Sequence, residues 1–253
     1  MNNKIADLAR ELGIYILYLE QTTSTNDIAS QGGYQSFDMV IADNQSKGRG
    51  SGGNSWSSDS KLNLTFSLVI AEDIKTKQSY FISKCVALGI VSTIKDIAPA
   101  ANVKIKWPND IYIDDKKVCG ILIENDICAD EVSKSVVGIG LNVNQSKFDP
   151  SLPNPTSLKI CCGRLLDRIE ILENLSLSIK RYIQLLKNGE LEEISQAYLE
   201  NLYRYDSWHS FNDPKEGPFK ARIIDVEDDG QIVMEDDSLV TRRYYFKEVE
   251  YQI

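Results

Sequence analysis

Histidine is nearly missing: His209 is the only one in 253 residues. That excludes His-rich metal sites and leaves a Ser-His-Asp triad a single possible base, placed near the predicted domain edge. Cysteine is scarce and odd in number, five in all, and the adjacent pair Cys161-Cys162 fits no common zinc spacing. Basic residues are outnumbered, 28 against 37 acidic, for a net charge of −9. A protein that coats nucleic acid needs the opposite balance, so no nucleic-acid partner is expected. No apolar run reaches membrane-spanning length, and the first 13 residues are amphipathic rather than a secretory signal. Free thiols without an export signal imply a reducing cytosol and no membrane partner. Internal repeats and low-complexity segments are also absent. At this length the chain can bury a full core, as one large domain or one large and one small.

What is present is concentrated in a few stretches. Residues 44–56 hold Gly48, Gly50, Gly52 and Gly53, the cations Lys47 and Arg49, and Trp56. Glycine lets backbone N–H groups close on a ligand, and a run of them suits an anion. Arg49 adds a planar charged fork for carboxylate or phosphate. No G-K-[ST] follows, so this is not a P-loop, and no βαβ pattern surrounds it. Taken alone, the loop reads equally as turn-rich surface. A second concentration spans 103–124: Lys106-Trp107-Pro108-Asn109-Asp110, then Lys117 and Gly120. Single lysines at strand ends are commonly just solvated, but Gly120 inside a strand pattern marks a close approach.

Periodicity orders the rest. A helix is predicted over 2–12, stopped by Gly13, then a buried strand from Ile14 to Leu19. Ser24-Thr25-Asn26 stand at a strand-to-helix junction, where they serve as N-caps of a helix over 27–31 or offer donors and acceptors to a neutral polar ligand. Met39–Ala42 is a short strand leading to the glycine loop, and Leu62–Ile70 alternates as a half-buried strand. A helix follows over 77–97. Ile111–Ile113 and Val118–Glu124 form a hairpin turned at 114–116, and Val136–Asn144 is a further strand carrying Gly138 and Gly140. The Pro-rich stretch 148–158 reads as loop. Asp167 with Glu170 predicts a capped helix over 168–187, followed by a helix over about 190–204 whose Tyr198 and Tyr203 are packing residues. From Phe211 on, short strands at 219–226, 231–235 and 239–246 predict a β-barrel of about 45 residues.

Five blocks together resemble the biotin–protein ligases. They are Ser24-Thr25-Asn26; Gln45 with Gly48-Arg49-Gly50 through Gly53 and Trp56; Lys106 to Asp110; Lys117 with Gly120-Ile121-Leu122 and Glu124; and Gly138 to Asn144. The resemblance covers nearly the whole chain and keeps the family's order and approximate spacing. It implies an α+β fold: a mixed β-sheet flanked by helices on one side, of the class II aminoacyl-tRNA synthetase-like kind, over residues 1–206, and an SH3-like barrel over 207–253. It implies that biotin and ATP give biotinyl-5′-AMP, which acylates one lysine of a biotin carboxyl carrier protein domain. The protein would be a monomer or homodimer.

The resemblance also assigns roles. Arg49, Lys106 and Lys117 are the catalytic cations, needed because a carboxylate must attack a phosphate. Ser24, Thr25, Asn26 and Gln45 would bond the ureido ring, with Arg49, Gly50, Ser51, Trp56, Lys117 and Gly120 completing the biotin site. Gly48, Arg49, Gly50, Lys106, Asn109 and Asn142 would face ATP and its phosphates. No protein side chain is assigned to a metal; Mg²⁺ would ride mainly on the phosphates. No nucleophile–histidine pair is required.

Two departures stand out. The familiar loop reads G-R-G-R-R-G, whereas here it reads Gly48-Arg49-Gly50-Ser51-Gly52-Gly53. Two cations are missing, which leaves Asp110 to pair elsewhere or with nothing in the loop and predicts weaker retention of the adenylate. Only about 13 residues precede the first predicted strand, too few for the family's DNA-binding domain, so a gel shift with promoter DNA should show no specific band. The rival readings are a lipoate- or octanoate-protein ligase of the same fold, which needs no ureido contacts, and a non-catalytic regulator that binds biotinyl-AMP.

Overall fold

Between Ile16 and Leu141 the β-branched runs of the chain pair into one sheet. The computed structural model describes residues 2–252. In chain order the elements are α1 Asn2–Leu12, β1 Ile16–Thr22, α2 Thr25–Gln31, β2 Met39–Gln45, β3 Leu64–Ile70, β4 Ile74–Lys75, α3 Ser79–Ile97, β5 Val103–Lys106, β6 Asp110–Ile113, β7 Lys116–Cys128, β8 Glu131–Leu141, α4 Leu158–Cys162, α5 Arg168–Lys187 and α6 Leu191–Glu200. The C-terminal strands are β9 His209–Asp213, β10 Gly217–Val226, β11 Ile232–Asp236, β12 Thr241–Tyr244 and β13 Glu250–Tyr251. The large sheet runs β1-β2-β3-β8-β7-β6-β5, with β4 added beside β8. β1 and β2 are parallel and the other strand pairs antiparallel.

The two faces of this sheet differ. Leu64, Phe66, Leu68 and Ile70 of β3 join the main core with α3 and α5. Val69, with Val40 and Val136, packs under Ala29 of α2 in a smaller cluster on the opposite face. β3 is therefore buried at every position, not at alternate ones as its pattern predicts. Helices also lie on both sides of the sheet rather than one. β1 corrects the opposite way: with one neighbouring strand it is an edge, and it is only half-buried. Ser24 occupies the N-cap position of α2 but makes no capping bond, whereas Asp167 caps α5 by accepting from the Ile169 N–H at 2.9 Å. The short α4, capped by Ser157, begins at the end of the predicted 148–158 loop.

α3 is buried nearly all round because α5 and α6 cover what the sheet does not. Gly89 makes the closest crossing possible, since a Cβ there would stand 2.9 Å from the Ile179 backbone. The C-terminal strands form a second antiparallel sheet, β12-β11-β10-β9-β13, of which β9 and β13 escaped the sequence reading. It docks through buried polar groups. The Lys84 ammonium donates to the Val226 carbonyl at 3.1 Å and the Ser195 hydroxyl at 3.2 Å, and lies 4.6 Å from the Phe81 ring centre. Trp107 donates its indole N–H to the Gly230 carbonyl at 2.9 Å. Burial lowers the Lys84 pKa, and the nearby charges of Asp228 and Asp225 only partly oppose this. Among the described residues no helix is long and apolar enough to cross a membrane.

Candidate active site

The face opposite α3 carries a cavity of about 610 Å³. Strand register lays its floor as one row: Thr65 on β3 opposite Gly140, Gly140 opposite Gly120, Gly120 opposite Asp110, and Asp110 opposite Lys106. Four strand spacings make this row about 19 Å long. The glycines keep it open. A Cβ on Gly140 would fall 2.2 Å from the Trp56 ring, and one on Gly138 would fall 2.4 Å from the Asn26 side-chain oxygen. These positions bear no side chain because other side chains lie against their backbone.

At the β3–β8 end the side chains bond one another. Gln45 Oε1 accepts from the Thr25 N–H at 2.6 Å and from the Thr25 hydroxyl at 3.0 Å. The Ser67 hydroxyl lies within bonding reach of the Thr25 hydroxyl and the Asn26 side-chain oxygen. Asn26 Nδ2 donates to Glu124 Oε2 at 2.7 Å. Ser24, also in the cavity wall, has no hydrogen-bond partner for its hydroxyl among the described residues. Burial alone would raise the Glu124 pKa, but the bonds from Arg49 and Asn26 outweigh it and hold the carboxyl below its ordinary range.

Arg49 has carboxylate partners within the protein. Its guanidinium donates to both Glu124 oxygens, at 2.7 and 2.8 Å, and to Asp27 at 2.8 Å. It ties the glycine loop to α2 and β7, while still lining the cavity. The loop itself is ordered by its own backbone. The Gly50 N–H bonds the Asn54 carbonyl at 2.7 Å, and the Trp56 N–H bonds the Gly48 carbonyl at 2.9 Å. Two N–H groups of the expected anion cradle are thereby already used. Gly48 lies outside the cavity wall, because it passes under the Trp56 carbonyl with no room for a Cβ (2.3 Å). Gly50, Ser51 and Trp56 line the wall, and the indole N–H of Trp56 is buried without a partner.

At the β6–β5 end the groups are charged. Lys117 Nζ stands 2.7 Å from Asp110 Oδ1 and 5.7 Å from the centre of the Trp56 ring. This is a close ion pair with no aligned hydrogen bond on Oδ1, so Asp110 has found its partner on β7. Lys106 has no carboxylate at ion-pair distance among the described residues. Its Nζ lies 4.7 Å from the Tyr251 ring centre and 5.4 Å from that of Tyr112. Burial lowers the Lys106 pKa, and the charge of Asp110 only partly opposes this. Asn109 lines the cavity but uses its side-chain amide on the Ile121 carbonyl at 2.8 Å. Asn142 is not in the wall at all; its amide is committed to the Thr156 carbonyl at 3.0 Å.

Sequence reasoning missed four contributors. Ser67 looked like one polar position in an apolar strand, and Glu124 was quoted only as part of a motif. Lys247 and Tyr251 come from the second sheet and line the same cavity. No local pattern announces them. His209 bonds Ser207 at 3.0 Å and lies outside the cavity wall.

Residues 18–143, about half of the chain, match the biotin/lipoate A/B protein ligase family. The chain belongs to that family. Among its relatives, the bifunctional ligase/repressor BirA of Bacillus subtilis is 27% identical over 242 residues, covering 92% of this chain and 73% of that protein. The biotin–[acetyl-CoA-carboxylase] ligase of Paracoccus denitrificans is 29% identical over 188 residues, covering 72% and 78%. Among solved structures, the biotin protein ligase from Aquifex aeolicus in complex with biotin and ATP superposes with a TM-score of 0.79 at 22% identity, covering 94% of this chain and 99% of that one. At that identity the superposition speaks for the fold: a mixed sheet flanked by helices with a second antiparallel sheet at the C-terminus.

Proposed function

We propose that this family member is an ATP-dependent biotin–protein ligase. It activates biotin as biotinyl-5′-AMP and transfers the acyl group to a lysine of a biotin carboxyl carrier domain. The observation that carries this reading is the row from Thr65 to Lys106, with a cluster of mutually hydrogen-bonded side chains at one end and lysines at the other. An elongated acid with a polar uncharged head fits that order. The ureido head would sit by Ser24, Thr25, Asn26 and Gln45, and the valeryl chain along Trp56 and the glycines.

Lys117, on β7, lies part-way along the row. There it would hold the carboxylate against the α-phosphate, screening two anions that otherwise repel. The carboxylate oxygen attacks phosphorus and pyrophosphate leaves. In the second half-reaction the carrier amine attacks the acyl carbon and AMP leaves. Lys106 would face the phosphates. Magnesium enters on the nucleotide as part of the substrate and neutralises the leaving pyrophosphate. No enzyme nucleophile is needed: Cys119, beside the floor, is buried, and burial pushes its thiol far above the range where a thiolate forms. We take residues 1–206 as the catalytic unit and 207–253 as the appended barrel, working in the reducing cytosol.

The test is transfer. Purified protein, biotin, ATP and magnesium are incubated with an apo carrier domain, and the product is read by mass spectrometry. Biotin should appear on one carrier lysine and be absent when that lysine is arginine. A protein that binds biotinyl-AMP but leaves the carrier unmodified would be a regulator, and the ligase reading would fail.

A further inference from the structure

We infer that Glu124 is a positioning residue for the head of the acid: its carboxylate turns the Asn26 carboxamide so that an acceptor oxygen, not an amide N–H, faces the cavity. This deepens the ligase reading and rests on it. Glu124 lies outside the cavity wall, so it acts through Asn26, which lines it.

Hydrogen-bond polarity sets the orientation. The two ends of a carboxamide are alike in size, and their partners decide which is nitrogen. An ionised carboxylate accepts and never donates, so Asn26 turns Nδ2 to Glu124 Oε2, at 2.7 Å. The Leu122 carbonyl lies 3.5 Å from the same nitrogen. Asn26 Oδ1 is left on the other side, where it accepts from the Ser67 hydroxyl at 2.5 Å. It stands over Gly138 of the cavity floor, close enough that a Cβ there would fall 2.4 Å from it. The reversed amide would set its oxygen against the Glu124 carboxylate, and Asn26 is only 3% exposed, so water could not relieve the repulsion.

Glu124 stays ionised because the Arg49 guanidinium donates to both its oxygens, at 2.7 and 2.8 Å. The glycine loop thus reaches the head pocket through an ion pair: Arg49 holds Glu124, and Glu124 holds Asn26. The neighbouring amide is set the opposite way. Thr25 directs its N–H and its hydroxyl to Gln45 Oε1, which leaves the donor end of that amide uncommitted among the described residues. One wall therefore offers an acceptor from Asn26 and a donor from Gln45. A cyclic urea carries both complements, N–H groups and a carbonyl. A head that meets Asn26 with an oxygen in place of an N–H is refused.

The experiment uses the full chain and acid-dependent ATP–pyrophosphate exchange. The acids are biotin and the two cyclic carbamates in which one ureido N–H is replaced by oxygen. The readout is the ratio of kcat/KM between acids, which does not depend on how much of a variant is folded. Wild type should prefer biotin about 10²-fold or more over one of the carbamates. Glu124→Gln lets the Asn26 amide take either orientation. It should narrow that preference about tenfold and raise the biotin KM about tenfold, with the ATP KM within about twofold of wild type. The double variant N26D/E124Q keeps an oxygen toward the head whichever way residue 26 turns, and should regain most of the preference that E124Q loses. An undiminished preference in E124Q, or a wild type that takes both carbamates as readily as biotin, overturns the inference and leaves the ligase reading intact. A double variant no better than E124Q assigns the effect to packing and also overturns it. Wild type without biotin-dependent exchange removes the ligase reading and this inference with it.

Discussion

The two ends of the cavity solve opposite problems. At the β3–β8 end, Thr25, Asn26, Gln45, Ser67 and Glu124 bond one another. At the β5–β6 end, Lys106 lies against aromatic rings and Lys247 bonds only a carbonyl. The first arrangement fixes side chains so that a neutral head meets oriented donors and acceptors, with little reorganisation. The second keeps charge unsatisfied until an anion arrives. Burial there weakens the cation but strengthens its pull on a phosphate, because the surrounding dielectric is low. In the proposed reaction one end selects the acid and the other drives its activation.

The largest effect expected is at the junction between the ends. Lys117→Ala should cut biotin-dependent exchange by about 10²–10³-fold, read as kcat. An activity loss confined to the biotin KM would move Lys117 into the neutral end. Next comes Gly138→Ala, which pushes on the Asn26 carboxamide and so disturbs its bonds to Ser67 and Glu124. The biotin KM should rise about tenfold with the ATP KM nearly unchanged. A parallel rise in both would dissolve the distinction between the ends.

The pH dependence sharpens the charged end. In the proposed reaction Lys106 acts as an ammonium, and burial places its pKa below that of a free lysine. Activity should therefore fall as pH rises through that lowered pKa, giving an alkaline limb earlier than an exposed lysine would give. Lys106→Arg, whose guanidinium stays charged, should shift the limb upward in kcat/KM-against-pH profiles. The smallest effect is at Ser51. Ser51→Arg should slow adenylate release only a few-fold, because Lys247 already supplies a cation beside the loop. Release at an unchanged rate would mean that the missing loop arginines do not govern retention.

Much of this was legible in the chain, for physical reasons. Gly120, Gly138 and Gly140 stand in strand patterns, where glycine is costly unless something must approach. Ser24, Thr25, Asn26 and Gln45 flank strand and helix ends, where polar side chains collect. Register could not be read. It takes pairing to know that Thr65, Gly140, Gly120, Asp110 and Lys106 fall in one line. Strand burial was misjudged for the same reason: β3 alternates in its sequence but is covered on both faces, and β1 is apolar but sits at an edge. The partners of Arg49 were equally hidden, because its pattern specifies a fork, not which carboxylates it meets. Lys247 was invisible, since 195 residues separate it from Gly52 and the docking of the second sheet, through contacts such as those of Lys84 and Trp107, brings the two together.

The most direct measurement of the central claim is ATP–pyrophosphate exchange driven by the acid alone. Exchange should appear with biotin, stay at background with lipoate or octanoate, and collapse in Lys117→Ala. Exchange that proceeds without biotin, runs equally well on octanoate, or survives the loss of Lys117 would contradict it.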